Sequence, residues 1–344
     1  MDRVRWGIIG CGDVTEVKSG PAFQQVAGSE LVAVMRRNGG LAADYARRHG
    51  VPRWYDRADE LVDDQEVDAV YIATPPGSHL ELALLACAAG KPAYVEKPMA
   101  RSHSECLRMV EAFEAAHVPL FVAYYRRALD RFRAVRDLVA AGKLGTVTGV
   151  SYRYASPAHR GLAKGELPWR LRPEQSGGGL ILDLGSHTLD ILDFILGPLE
   201  NVRGDASHVA SPHDLEDSVV LHFSTRSGAL GVAQWNFASA AHADEIVIAG
   251  DLGEVRLATF GDGPVEIRTG EHVERRELPN PRHIQMPMIE SVVADLRGLG
   301  RAESTGVTAA RTSAVIDAAL ERYYGPRDGP FWLKPSAWPG RQTP

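Results

Sequence analysis

Lys97 in the run Glu96-Lys97-Pro98, and Asp183 and His187 in the run Gly177-Gly178-Gly179-Leu180-Ile181-Leu182-Asp183-Leu184-Gly185-Ser186-His187, are the residues of this chain best suited to moving a proton. An ammonium, a carboxylate and an imidazole around one oxygen suit a carbon that gains or loses a hydride. Reduction of a carbonyl makes an alkoxide, which needs a nearby positive group and then a proton. Histidine, with an ordinary pKa near ~6.5, exchanges that proton near neutral pH. Lysine starts near ~10.4 and serves as an electrostatic anchor unless desolvation lowers it. Asp183 lies one expected helical turn before His187, so the two share a face, and it can orient the imidazole or grip a second hydroxyl. Asp190 shares that face too, either to support Asp183 or simply to pair with backbone or an arginine.

These groups need elements to hold them. Strand-like apolar runs at 4–9, 31–35, 69–73, 93–95 and 120–123 alternate with helical patterns at 41–49, 79–89 and 102–117. Such alternation argues for parallel strands with crossover helices, and near-continuous apolar strands for a sheet covered on both faces. Lys97 follows one of these strands directly. Beyond Tyr125 the texture changes: a linking helix at 129–141, a strand at 146–154, and a loop at 156–176 rich in proline, glycine and charge. The helix expected at 180–196 is apolar nearly all round, which marks it as buried; buried Asp183 and His187 then require partners. Runs at 217–223, 229–237, 245–249, 254–258 and 265–268 read as a mostly antiparallel sheet, and amphipathic helices at 284–299 and 308–323 close the chain. The expected class is α/β, with a Rossmann domain over residues 1–125 and an α+β domain over 126–344.

Gly10-Cys11-Gly12-Asp13-Val14-Thr15 follows the first strand and precedes a helical stretch. Gly10 allows a tight turn, and Gly12 the close approach of backbone N–H groups to a pyrophosphate, with Cys11, Asp13 and Val14 completing the loop. Thr15 stands where a third glycine would be, which implies wider helix–strand spacing. The second strand ends in Met35-Arg36-Arg37-Asn38 with no carboxylate for a ribose 2′-hydroxyl. Guanidinium groups there favour NADP(H), since they pair with a 2′-phosphate, and leave NAD(H) as the alternative. Arg36 and Arg37 can also be read as solvated loop charges. Thr74 and Pro75 at the next strand end, His79 behind them, and Glu96 with Lys97 complete the expected cofactor contacts; a histidine opening a helix is equally a capping residue.

Gly-x-Gly near the N-terminus, Glu96-Lys97-Pro98 and Gly-Gly-Gly-x-x-x-Asp-x-Gly-x-His stand in register, and together resemble the Gfo/Idh/MocA oxidoreductase family over nearly the whole chain. The resemblance implies a Rossmann domain followed by a domain whose open antiparallel sheet forms a subunit interface, hence a homodimer or homotetramer. It implies that Lys97 holds cofactor and substrate hydroxyl, that Asp183 positions the substrate, and that His187 is the general acid/base. The Lys97–Pro98 bond becomes a candidate cis peptide. Trp169-Arg170 is similar to the Trp-Arg pair of the family's anhydrofructose reductase branch, offering a flat apolar face and a guanidinium fork to a substrate. A core tryptophan beside a surface arginine is the plain alternative.

The bulk properties set limits. At 344 residues the chain suits two domains. Hydrophobic content of 44% with 24% charged residues leaves no disorder signature. A net charge of −6 without a long basic run argues against nucleic-acid or anionic-membrane partners. Cys11, Cys87 and Cys106 lack metal-ligand spacing and read as reduced apolar residues, and no metal is expected. A strand starting at Val4 leaves no room for a signal peptide, and no apolar run reaches membrane-spanning length, so a cytoplasmic location is expected. The expected activity is hydride transfer between NADP(H) and a carbonyl or secondary alcohol of a sugar, cyclitol or related polyol, with Lys97 and His187 meeting beside the nicotinamide. Rival readings are a non-sugar substrate of the dihydrodiol or biliverdin type, and an inactive NADP-binding sensor.

Overall fold

The computed structural model describes residues 2–158 and 167–341. In the first part of the chain, β1 (Val4–Ile9), β2 (Ser29–Met35), β3 (Arg53–Tyr55), β4 (Ala69–Ile72), β5 (Ala93–Val95) and β6 (Leu120–Val122) form a parallel sheet in the order β3-β2-β1-β4-β5-β6. The crossovers carry α1 (Asp13–Val17), α2 (Gly20–Gln25), α3 (Gly39–His49), α4 (Ala58–Asp63), α5 (His79–Ala88) and α6 (His103–Ala116). Side chains alternate across the sheet as the pleat requires. Val70, Ile72 and Val95 join Met109 and Phe113 in one buried layer. On the opposite face Trp6, Phe23, Tyr71 and Tyr94 form an aromatic layer, with Phe23 centred 5.0 Å from both Trp6 and Tyr71. The strand order reverses between β1 and β4, the crevice where open α/β sheets hold ligands at their carboxyl ends. The glycine loop leaves β1 at that point.

The second part begins with α7 (Asp130–Ala140), β7 (Val147–Ala155) and the single-turn α8 (Pro173–Ser176). Of the 156–176 loop, residues 159–166 lie outside the described residues. The helix expected at 180–196 forms, but it opens with a π turn at Ile181–Gly185 before α9 (Ser186–Leu196). Gly185 accommodates the contact that the wide turn makes: a Cβ there would lie 2.2 Å from Ile181 Cδ1 and 3.3 Å from Trp235 Cε2. Strands β8 (Leu199–Ser207), β9 (Ser218–Thr225), β10 (Leu230–Asn236), β11 (Ala243–Gly250), β12 (Glu254–Leu257), β13 (Val265–Thr269) and β14 (His272–Arg276) join β7 in a sheet ordered β14-β13-β12-β11-β7-β10-β9-β8. Every pair is antiparallel except β10 with β7. Val219, Leu221, Phe223, Ala233 and Trp235 point to the buried face, while Val220, Leu230 and Val232 stand on the outward face.

The chain ends with α10 (Met286–Leu296) and α11 (Gly306–Tyr324). It divides into two compact units, and neither is one continuous stretch. Residues 281–310 cluster with the Rossmann sheet, and residues 101–104 with the second sheet, so a single cut at residue 125 does not describe the division. An isolated antiparallel bridge from Phe121 to Thr305 ties the returning segment to the edge strand β6. No helix among the described residues is long and apolar enough to cross a membrane.

Candidate active site

A candidate nucleotide site is built at the ends of β1, β2, β4 and β5. The N–H groups of Gly10 and Cys11 both donate to Met35 O, at 2.8 and 3.1 Å. Gly10 has φ +92°, and a Cβ there would sit 2.7 Å from Thr74 Cγ2, so the glycine loop lies close against the end of β4. Gly12 is different. Its φ of −161° suits any residue, and a Cβ would meet only Gly10 O, at 3.8 Å. The chain's own contacts do not demand glycine there; the open cradle is what a dinucleotide backbone pressed onto the loop requires, and the residues present fit one. Thr15 Oγ1 accepts from Gly12 N at 2.9 Å and donates to Gly12 O at 2.8 Å, so it stitches the loop. The Gly12 N–H is thereby engaged, which leaves the amides of Asp13 and Val14 in the first turn of α1, where a helix has no internal acceptor. Cys11 is buried and burial pushes its thiol up to about 11, so it is a space-filling residue at neutral pH.

Arg36 and Arg37 are exposed beyond the end of β2, with Arg36 Nη1 3.5 Å from Cys11 O. Asn38 caps α3 by accepting from Leu41 N at 3.1 Å. Thr74 and Pro75 are half-buried at the end of β4, where Ser78 Oγ donates to Thr74 Oγ1 at 2.8 Å. His79 is not a cofactor contact. Its ring is fully buried, with Nε2 2.7 Å from Thr74 O and Nδ1 3.1 and 3.2 Å from Pro98 O and Met99 O. Burial lowers its pKa against those carbonyls. The imidazole is a strut that fixes the β4 and β5 loops to each other.

Lys97 sits half-buried beyond β5, and the Lys97–Pro98 peptide is cis. Glu96 also departs from its expected cofactor contact. Its Oε1 accepts from Tyr71 OH and from Gln285 Nε2, each at 2.6 Å, and its Oε2 from Lys97 N at 3.1 Å. The carboxylate thus points into the unit and holds the backbone from which Lys97 projects.

A second cluster of candidate residues belongs to the second unit. Arg170 Nε donates to Asp183 Oδ2 at 2.7 Å, and the same guanidinium lies 4.4 Å over the Trp169 ring. His187 is buried on α9, edge-on to Phe260 at 5.8 Å and 81°. Phe260 in turn meets Tyr154 at 5.7 Å. The Phe260 segment is fixed from two directions. Asp244 accepts from the amides of Thr259 and Phe260 at 3.0 and 2.6 Å, and Arg131 donates to the carbonyls of Gly261 and Gly263 at 2.5 and 3.0 Å. Burial raises the Tyr154 pKa, with a bond to Ser156 opposing it and the charges of Asp244 and Asp183 adding to it. Asp190 accepts from Thr312 Oγ1 at 3.3 Å, and Asp193 pairs with Arg311 at 2.7 Å, so these carboxylates anchor α9 to α11.

Residues 4–124 match the oxidoreductase family's NAD-binding Rossmann fold, and residues 132–256 match the GFO/IDH/MocA C-terminal domain. The chain belongs to the GFO/IDH/MocA oxidoreductase family. It is an oxidoreductase with an NAD-binding Rossmann domain. Its relatives in the family include oxidoreductase P35 of Formosa agariphila, 38% identical over 294 residues, which span 85% of this chain and 90% of that one. The 1,5-anhydro-D-fructose reductase of Ensifer adhaerens is 29% identical over 310 residues, 88% of this chain and 91% of the reductase. Among solved structures, an oxidoreductase from Agrobacterium radiobacter in complex with NAD+, L-tartaric acid and magnesium superposes with a TM-score of 0.81 at 25% identity, covering 93% of this chain and 96% of that one.

Within the first unit the structure gathers Gly10, Gly12, Asp13, Val14, Arg36, Thr74, Pro75 and Lys97 at the carboxyl edge of the sheet. Within the second it gathers Trp169, Arg170, Asp183 and His187 around the π turn. Sequence reasoning missed Gln285, Tyr154, Asp244 and Phe260. Gln285 carries no local signal, because the carboxylate it serves is 189 residues away. Tyr154 and Phe260 were legible only as a strand-end aromatic and a loop aromatic.

Proposed function

We propose that this enzyme transfers a hydride between NADP(H) and the carbonyl or secondary alcohol of a sugar, cyclitol or related polyol. The observation that carries the reading is the group around the π turn: a buried imidazole on α9, with a carboxylate one turn earlier held by a guanidinium. A proton-exchanging ring beside an acceptor–donor pair suits a substrate with a reacting oxygen and further hydroxyls. The name of the Ensifer adhaerens relative, an anhydro-ketosugar reductase, is in keeping with that substrate class.

The dinucleotide, when bound, supplies or accepts the hydride at the substrate carbon. The residues do the rest. Lys97 offers its ammonium to the reacting oxygen, on a backbone kept in place by Glu96 and, through the neighbouring loop, His79. His187 gives a proton to that oxygen in reduction and takes it in oxidation. Asp183 and Arg170 grip adjacent hydroxyls, and Trp169 and Phe260 offer apolar faces to the ring carbons. Arg36 and Arg37, with no carboxylate beside them, support NADP(H) over NAD(H). The outward apolar face of the eight-stranded sheet supports assembly as a homodimer or homotetramer.

The test is the absorbance of NADPH in the presence of ketosugars, inososes, anhydrofructose and dicarbonyls. The parent protein is expected to consume NADPH with at least one polyhydroxylated ketone. Lys97→Ala and His187→Ala are each expected to lower turnover by about 10²-fold or more while NADPH still binds. Near-parental turnover in either variant removes that residue from the chemistry.

A further inference from the structure

The three glycines ahead of the π turn are each explained by what touches them in the second unit. Gly177 has φ +86°, and a Cβ there would lie 2.4 Å from Arg101 O. Gly178 has φ +156°, and its Cβ would meet Leu182 Cδ1 at 2.7 Å. At Gly179 a Cβ would lie 2.6 Å from Glu216 Oε1, and this contact is functional in form. The Gly179 N–H donates to both carboxylate oxygens of Glu216, at 2.9 and 3.0 Å. Gly179 O accepts from Leu182 N at 3.2 Å, so Gly179 is where the chain enters the helix. A carboxylate on an entry amide satisfies a donor that the helix cannot, and meets the positive end of its dipole.

Glu216 is 1% exposed, and the hydroxyl of Tyr324 closes on its Oε2 in a short hydrogen bond. The groups facing it are Tyr323 and Tyr324 from α11, Arg327 from the segment after α11, and its neighbours Asp214 and Asp217. Asp217 is occupied by the amides of Val209, Ala210 and Ser211, and Arg327 by Asp317 at 2.6 Å. A buried carboxylate supported mainly by a glycine amide and a phenol is costly to keep. Burial pushes the carboxyl up to about 7, with the Tyr324 bond and the Arg327 charge opposing.

We propose that Glu216 is a positioning residue for hydride transfer: by holding the Gly179 amide it sets the entry of the helix, and with it the placement of Asp183 and His187. The inference rests on the role given to His187 above. Nothing in the reaction touches Glu216 itself; it acts through four residues of backbone to Asp183 and four more to His187. When Glu216 takes up a proton, one oxygen becomes a hydroxyl, the charge that strengthened the amide bond is lost, and the helix entry loosens.

The test uses Glu216→Gln, which keeps the shape and an accepting carbonyl oxygen but cannot ionise, and Tyr324→Phe, which keeps the carboxylate and removes one bond to it. In the reductive direction loss of the His187 proton lowers kcat only on the alkaline side, so an acid-side fall near pH 7 belongs to Glu216. Glu216→Gln is expected to lower kcat about tenfold above that step, to erase the acid-side fall, and to leave KM and NADPH affinity within about twofold. Tyr324→Phe is expected to keep the fall and move it to higher pH. A Glu216→Gln profile that overlays the parent's in height and shape overturns the proposal. The imidazole NMR signals of His187 in the ligand-free chain give a second readout. They are expected to differ in position between parent and Glu216→Gln at one and the same pH; identical signals overturn the proposal even where every carbonyl fails as a substrate. Failure of all carbonyls with shifted His187 signals sinks the proposed activity and leaves the latch standing.

Discussion

The proposed preference for NADP(H) rests on the charge of one side chain, Arg36. A guanidinium at the end of β2 attracts a 2′-phosphate, whereas a carboxylate repels it and accepts from a ribose hydroxyl. The parent is expected to bind NADPH more tightly than NADH, and Arg36→Asp to reverse or sharply narrow that gap, by about tenfold or more in the ratio of dissociation constants, read by quenching or calorimetry. Equal affinity of the parent for NADPH and NADH would remove Arg36 from the selection. Glu216 offers a second measurement at this scale. Burial raises its carboxyl from an ordinary 4.5 to about 7, so the folded chain holds the proton more tightly than the unfolded one. The stability this contributes is complete below the unfolded pKa and is lost as pH rises through about 7. The unfolding free energy of the parent, measured against Glu216→Gln in urea, is therefore expected to fall between about pH 4.5 and 7, by on the order of 3 kcal/mol at most. A difference that stays flat over that window would mean the carboxyl is not strained. Lys97, Asp183 and His187 could be singled out as candidates because proton transfer restricts residue type. His79 and Glu96 were misread because their partners are main-chain atoms and residues distant in sequence, which no local pattern reveals.

The elements that carry these side chains were legible in proportion to their length and apolar contrast. β1 and β5 have the bounds their apolar runs suggest, while β3, of three residues, and α1, of five, are too short to leave a periodic trace. β8 and β14 were missed for another reason: β14 is exposed along most of its length and β8 alternates only weakly, so neither carries a buried apolar stripe. The π turn was invisible because it is a change of hydrogen-bond register, not of composition. Glycine loops permit a sharper test, since the two glycines after β1 are present for different reasons. Gly10→Ala places a side chain at φ +92° and against Thr74, and is expected to lower the unfolding free energy by about 1–3 kcal/mol. Gly12→Ala meets nothing nearer than 3.8 Å and is expected to leave the melting temperature almost unchanged while weakening dinucleotide binding. The pair of measurements, thermal unfolding and NADPH affinity, should therefore separate the two positions. Equal loss of stability in both would mean that Gly12 serves the turn and not a ligand.

At the scale of the whole chain, the sequence suggested two domains meeting at one boundary, and the chain instead returns residues 281–310 to the first unit. That return brings Gln285 to Glu96 and Thr305 to the edge of β6, contacts that sequence distance conceals. The second sheet poses the opposite problem, since its outward face has more apolar surface than a strand open to water usually keeps. Leu230 is 72% exposed and Val232 48%, on a strand whose alternate residues Gly231, Ala233 and Trp235 are buried. On β9 the neighbouring outward residue Val220 pairs in register with Gln234. Side chains in this arrangement gain about 25 cal/mol for each Å² of apolar area removed from water, which favours a second copy laid on the same face. Leu230→Glu with Val232→Lys puts charges where such a copy would bury methyl groups, at positions that make no contribution to the sheet's inner layer. Sedimentation of the parent is expected to give a dimer or larger species, and of the double variant a smaller one, with the unfolding midpoint at high dilution little changed. A parent that sediments as a monomer would show that this face does not mediate self-association.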